Sequence, residues 1–299
     1  MSGTWIKRAA YFSVVSCAII CPVFVSACME STAAVVERRV AGLSERFGVL
    51  VGYGSPSSFF VRPFSTADAN IAEADVSQVK LSAVPPALDG ISEGLEVYPE
   101  GFYSELCHAI YISGSFAPPR ERSGGTYGPS WIILVANVQF GRDVIYENAR
   151  LGVHHEFSSL VWNRFPVLRA QWAFLMPEGW SPALTATESL HASPSLSDTP
   201  RDGFLSPYAA TSTENDFNTY AEVVFTAPQR IVDWSRSNSL VAKKTTILMD
   251  AYIQLDPRMR DTFRQLGLEE VRSHRGPDTE ISIGPISIPQ GEIITVPAE

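Results

Sequence analysis

Between residues 32 and 48 apolar side chains recur at Val35, Val36, Val40, Leu43 and Phe47, with Glu37, Arg38, Arg39, Glu45 and Arg46 on the other side. That spacing predicts an amphipathic helix, and Gly48 is its natural stop. The β-rich run 49–53 reads as a strand and is followed by a polar stretch to about Lys80. Pro85 and Pro86 then open a helix through Leu88, Ile91, Leu95 and Val97 that ends near Tyr98-Pro99. Segments 109–113 and 131–135 are strand-like, with a turn-rich connection over 117–129.

From Tyr146 the pattern changes to helix. One helix runs to about Trp162, where Pro166 follows and restricts the residue before it. Residues 177–207 form a Pro/Ser/Thr-rich connection, long enough to be either functional or mobile. A capped helix is expected within 208–225, another over 229–234, and two more over 240–255 and 259–268. Strands first and helices afterwards predict an α+β fold, a small mixed sheet in the N-terminal half followed by a helical C-terminal half.

The first residues change the picture of where the domain begins. Lys7-Arg8 precede an apolar run from Ala9 to Val25, then Val25-Ser26-Ala27-Cys28. This is the layout of a secretory signal with a small-residue cleavage site. It resembles a bacterial lipoprotein signal, in which Cys28 is the lipidated residue. The expected organisation is a signal over 1–27, a tether over 28–37, one domain over 38–270 and a Pro/Ile-rich tail over 271–299. A lipid anchor implies the cell envelope, on the periplasmic side of the outer membrane in a Gram-negative cell. Beyond the signal and Cys28 only Cys107 remains, so no intramolecular disulfide is expected and the core must hold the fold. The formal charge of -9 includes Lys7 and Arg8, so the rest of the chain is more acidic still. Such a surface argues against nucleic acid as a partner.

Two segments carry chemistry. In Val153-His154-His155-Glu156-Phe157-Ser158-Ser159, His155 and Ser159 share a helix face at i and i+4, and Glu156 points about 100° away. A His-Glu-x-x-His helix would present two imidazoles to zinc, with the glutamate placed to deprotonate the bound water. Here the second histidine is Ser159. His154 points elsewhere around the helix, His191 lies in the long connection, and a serine nucleophile lacks its strand-to-helix elbow. In the second segment, 203–222, Ser212 or Thr213 opens a helix, and Thr213 with Asp216 reads as a capping-box variant. Capping leaves Glu222, on the same face as Asn215, unexplained.

Taken together, the two segments resemble zincin metallopeptidases of the kind that includes Mlc titration factor A, the anthrax lethal factor catalytic domain and bacterial zinc-binding metallopeptidases. Tyr98-Pro99-Glu100-Gly101-Phe102, Gly124-Gly125-Thr126-Tyr127 and Ala227-Pro228 share in the resemblance, which covers roughly 38–268. It implies a zincin-like fold, zinc as cofactor, His155 as first metal ligand, Glu156 as general base and Tyr208 as the group steadying the oxyanion. Glu222 or Glu214 would supply the acidic metal ligand. The sequence departs from the family twice, with Ser159 for the second histidine and Asn215 where the acidic ligand usually sits. Three readings follow: a zinc peptide hydrolase acting on a peptide or protein; an inactive zincin-fold lipoprotein binding a peptide or envelope partner; or an envelope protein whose His-Glu cluster is only a buried polar network.

Overall fold

The computed structural model describes residues 31–67, 69, 71–117 and 124–274. The signal, Cys28 and the tail beyond His274 lie outside the described residues. Helix α1 (Thr32–Phe47) is capped by Ser31, whose hydroxyl accepts from the Ala34 N–H, and stops at Gly48 with φ 66. It buries Val36 and Leu43, so the packed domain starts ahead of residue 38. At the other end Val271 is in the core, so packing continues into the segment read as tail.

Strand β1 (Leu50–Gly52), the short helix α2 (Pro56–Phe59), strand β2 (Val76–Gln78) and helix α3 (Val84–Leu95) follow. Next come β3 (Ala109–Phe116), β4 (Gly125–Tyr127) and β5 (Trp131–Val135). The sheet order is β1-β3-β5-β4, with β2 antiparallel to the second half of β3. β1 and β5 run parallel to β3, whereas β4 returns antiparallel to β5, so the sheet is mixed. β2 and β4 each have three residues and lie in stretches that read as polar or turn-rich, too short for an alternating pattern to show.

Alternation along the central strands builds two cores. Val51, Ile110, Ile112, Ile132 and Leu134 face the helices, while Tyr111, Trp131, Ile133 and Val135 face a second cluster with Phe60, Ile71 and Phe116. With both faces covered, β5 reads as an unbroken apolar run, Trp-Ile-Ile-Leu-Val.

The helical half consists of α4 (Arg142–Arg164), α5 (Pro166–Phe174), α6 (Ala186–His191), α7 (Thr213–Thr226), α8 (Pro228–Ser237), α9 (Ser239–Leu255) and α10 (Met259–Gln265). This confirms the expected α+β order of a small sheet followed by helices. Among the described residues, no helix is long and apolar enough to cross a membrane.

Two local devices position α4. Gly90 and Gly94, one turn apart on α3, face its backbone. A Cβ on Gly90 would collide with the Tyr146 carbonyl oxygen, and one on Gly94 with the Val153 side chain. On its other side α4 packs against β4, β5 and α7. Val153, Phe157 and Val161 are fully buried, a gain of roughly 1.5–3 kcal/mol each.

The long connection over 177–207 is anchored to the domain. Trp180 Nε1 donates to the Ala210 carbonyl at 2.8 Å and Trp234 Nε1 to that of Asp198 at 3.1 Å. Lys244 Nζ donates to the Gly203 carbonyl at 3.0 Å and to Asp216 Oδ2 at 2.6 Å, with both ionic side chains fully buried. Trp172 Nε1 adds a 2.8 Å hydrogen bond to the same carboxylate oxygen. Burial pushes the Asp216 carboxyl up to about 6 against the pull of Lys244 and the Trp172 hydrogen bond. This corrects the expected capping box. The N-cap of α7 is Ser212, which accepts from the Asn215 N–H, and Asp216 turns inward because a buried lysine awaits it.

Two outcomes test this framework. Gly90→Ala, which on an open helix would gain about 1 kcal/mol of propensity, is expected to lose about 1–3 kcal/mol in chemical denaturation because the added methyl meets backbone. Lys244→Met is expected to cost about 3–5 kcal/mol by stranding the Asp216 charge, and Lys244→Met with Asp216→Leu distinctly less.

Candidate functional site

The residues singled out from sequence meet where α4 and α7 lie side by side, next to β4. His155 Nδ1 is 2.5 Å from Glu222 Oε1, with the histidine side chain 13% and the glutamate 23% exposed. Burial alone would lower the imidazole pKa. The charge of Glu222 and its hydrogen bond, helped by the charges of Glu156 and Glu214, outweigh that effect and raise His155 to about 9. His155 is therefore an imidazolium at neutral pH and donates to Glu222.

One turn along α4 the second contact forms. Asn218 Nδ2 donates to Ser159 Oγ at 2.8 Å, while Asn218 Oδ1 lies 2.5 Å from Ser158 Oγ. Ser158 Oγ is also 2.7 Å from the His155 carbonyl oxygen, so its proton is shared between two acceptors. Ser158, Ser159 and Asn218 are all buried. Neither serine is available as a nucleophile.

Around this pair of contacts sit the remaining candidates. Tyr127, on β4, donates from its hydroxyl to Glu214 Oε1 at 2.7 Å and accepts from Asn163 Nδ2 at 3.2 Å. Tyr208 donates to Asn215 Oδ1 at 3.1 Å, and Asn215 Nδ2 donates to Thr211 Oγ1 at 2.8 Å. Burial, then the charges of Glu156, Glu222 and Glu214, push the Tyr208 phenol well above its ordinary pKa, so it stays neutral. Glu156 is buried against β4. A Cβ at Gly125 would sit 2.5 Å from Glu156 Oε1 and 2.6 Å from the Ile133 carbonyl oxygen, so only glycine leaves room for that carboxylate.

His154 leaves the site, as the helix geometry requires. Its Nδ1 bonds the Tyr98 hydroxyl at 2.8 Å, its ring stacks on Phe225, and burial pushes it down to about 3, aided by Arg150. It is a neutral core histidine. His191 is exposed at the end of α6, and His108 is exposed as well. Of the aromatic residues near the long connection, Trp172 is core and Phe174 is 73% exposed.

A zinc ion at the center of this arrangement would need three protein donors besides water. The residues present do not fit that need. Ser159 offers a neutral buried hydroxyl already bonded to Asn218, Asn215 offers an amide held by Tyr208 and Thr211, and Glu222 is engaged by His155. Among the described residues no group of three or more His, Cys, Asp and Glu side chains is arranged to hold a metal ion. Of the residues that the resemblance puts around zinc, His155 and Glu222 meet each other, Glu214 meets Tyr127, and Glu156 is seated against Gly125.

Asn218 is the site residue that sequence reasoning passed over. It lies between Asn215 and Glu222 on one face of α7, at i+3 and i−4, so the stripe Asn215-Asn218-Glu222 was visible in the sequence as polar positions at helical spacing. Tyr127 was noted only as part of Gly-Gly-Thr-Tyr, and its partner Glu214 is 87 residues away.

The His155 pairing has a pH signature. The folded protein retains the imidazole proton up to about pH 9, whereas the unfolded chain releases it near 6.5. The stabilisation is complete below pH 6.5 and drains away as pH rises through about 9. Thermal unfolding followed across that window is expected to show a falling Tm, and Glu222→Gln to flatten the fall. An unchanged slope in the variant would count against the ion pair.

No family model matches the chain, and no curated protein matches it. Among solved structures, a Bacteroides caccae ATCC 43185 protein described as a "putative zinc-binding metallo-peptidase" is similar, at 14% identity and a TM-score of 0.41, over 83% of this chain and 96% of that one. The chemistry of the site rests on its own residues.

Proposed function

We propose that this chain is an envelope protein of zincin-like fold, tethered through Cys28, that binds a peptide or envelope partner beside α4 and does not hydrolyse it. The observation that carries this reading is Ser159. Where a zinc hydrolase needs a second imidazole, the side chain is a buried hydroxyl closed off by Asn218. Among the described residues no group of three His, Cys, Asp or Glu side chains is arranged to hold the metal that such a hydrolytic centre needs.

Binding is favoured by what lies next to that helix. β4 is the last strand in the sheet order, and Glu156 is seated against Gly125 in it. A sheet border beside a carboxylate suits an extended peptide, whose backbone would add to the strand while an amino group meets Glu214. The leader pattern ending in Val25-Ser26-Ala27-Cys28 supports the envelope location.

Zinc-dependent peptide hydrolysis is the competing reading, kept alive by the adjacent His155 and Glu156. Wild type and Glu156→Gln are to be incubated with a mixed peptide library, with and without added zinc, and the products followed by mass spectrometry. The expected outcome is no cleavage by either protein, together with peptide-induced rises in Tm. Cleavage that disappears in Glu156→Gln would sink the binding reading.

A further inference from the structure

A metal centre shared between two helices does mechanical as well as chemical work, because the ion ties them together. In the family that the sequence resembles, one helix would bring histidines and a later helix the acidic ligand. Here the corresponding helices are α4 and α7, and hydrogen bonds at two levels join them. His155 meets Glu222, and Ser159 meets Asn218. On α4 the two positions are i and i+4, and on α7 they are i+4 and i. The helices are therefore antiparallel, and the contacts are rungs one turn apart, about 6 Å along the axis. Ser158 doubles the second rung through Asn218 Oδ1.

We propose that this two-rung ladder, the His155–Glu222 hydrogen bond and the Asn218 clamp on Ser158 and Ser159, takes the structural place of the zinc ion, so that the chain closes α4 onto α7 without metal. The first rung joins the helices directly, with His155 Nδ1 2.5 Å from Glu222 Oε1 and both side chains largely buried. The second rung fills the position of the missing ligand with a carboxamide that satisfies both serines. Each helix therefore reads as an internally consistent set: Ser159 is matched by Asn218, and His155 by Glu222. Without Ser159 the buried Asn218 Nδ2 would lose this acceptor, at a cost comparable to an unmade hydrogen bond, while Oδ1 would keep Ser158.

The inference rests on the non-hydrolytic reading but can fail separately from it. The full processed protein is to be dialysed against EDTA, then titrated with zinc alone. Metal content is read by plasma mass spectrometry and stability by thermal unfolding. Substoichiometric zinc, with a Tm indifferent to both EDTA and zinc, is the expected result. Asn218→Ala and Glu222→Ala are each expected to lower Tm by about 3–10 °C, to the same extent in EDTA and in zinc. Stoichiometric zinc in wild type, with Tm falling on its removal, overturns the ladder as a metal substitute. So does an unchanged Tm in both variants. Metal-free peptide cleavage dependent on Glu156 would instead overturn the binding reading and leave the ladder standing.

Discussion

The close approach of α3 and α4 sets the position of everything chemical in this molecule. Without side chains at Gly90 and Gly94, the backbone of α4 settles onto α3, and its opposite side is presented to β4 and α7. A 23-residue helix fixed this way acts as a rigid ruler. His154 is directed into the core beside Tyr98 and Phe225, and its neighbour His155 toward α7. Two adjacent histidines thereby have opposite electrostatic fates: one is neutral down to about 3, the other charged up to about 9. Burial acts on both, and the difference is the carboxylate that only His155 meets.

The α7 side is held just as firmly, from behind. Asp216 points away from the site into a fully buried contact with Lys244 and Trp172, while Asn215, Asn218 and Glu222 point toward it. The same Lys244 secures Gly203, so the long connection before α7 is tied to the helices rather than hanging over them. Polar groups on both sides of one helix fix its rotation, because a turn in either direction would strand a buried charge or amide. The polar face of α7 is thus held in place from both sides.

The chain's local patterns were enough for the central elements. Amphipathic spacing gave α1 and the proline pair gave α3, while apolar runs gave β3 and β5, since both faces of those strands are buried. β2 and β4 escaped because three residues carry too little periodicity, and what makes them strands is pairing with β3 and β5. The capping expectation at Thr213 and Asp216 failed for a related reason. Local sequence offered an acid for a first turn, but Lys244, 28 residues later, offered it a stronger partner.

By itself the sequence determined the order of strands and helices, the His-Glu pair on an apolar helix, and the two departures at Ser159 and Asn215. These are properties of near neighbours, where helix geometry alone decides which side chains share a face. Only the tertiary structure decided what the departures mean. Whether a buried serine is a lost ligand or half of a hydrogen bond depends on what faces it, and that partner, Asn218, is 59 residues away. Hydrogen bonds and ion pairs are satisfied in space rather than along the chain, so their bookkeeping closes only when α4 and α7 are side by side.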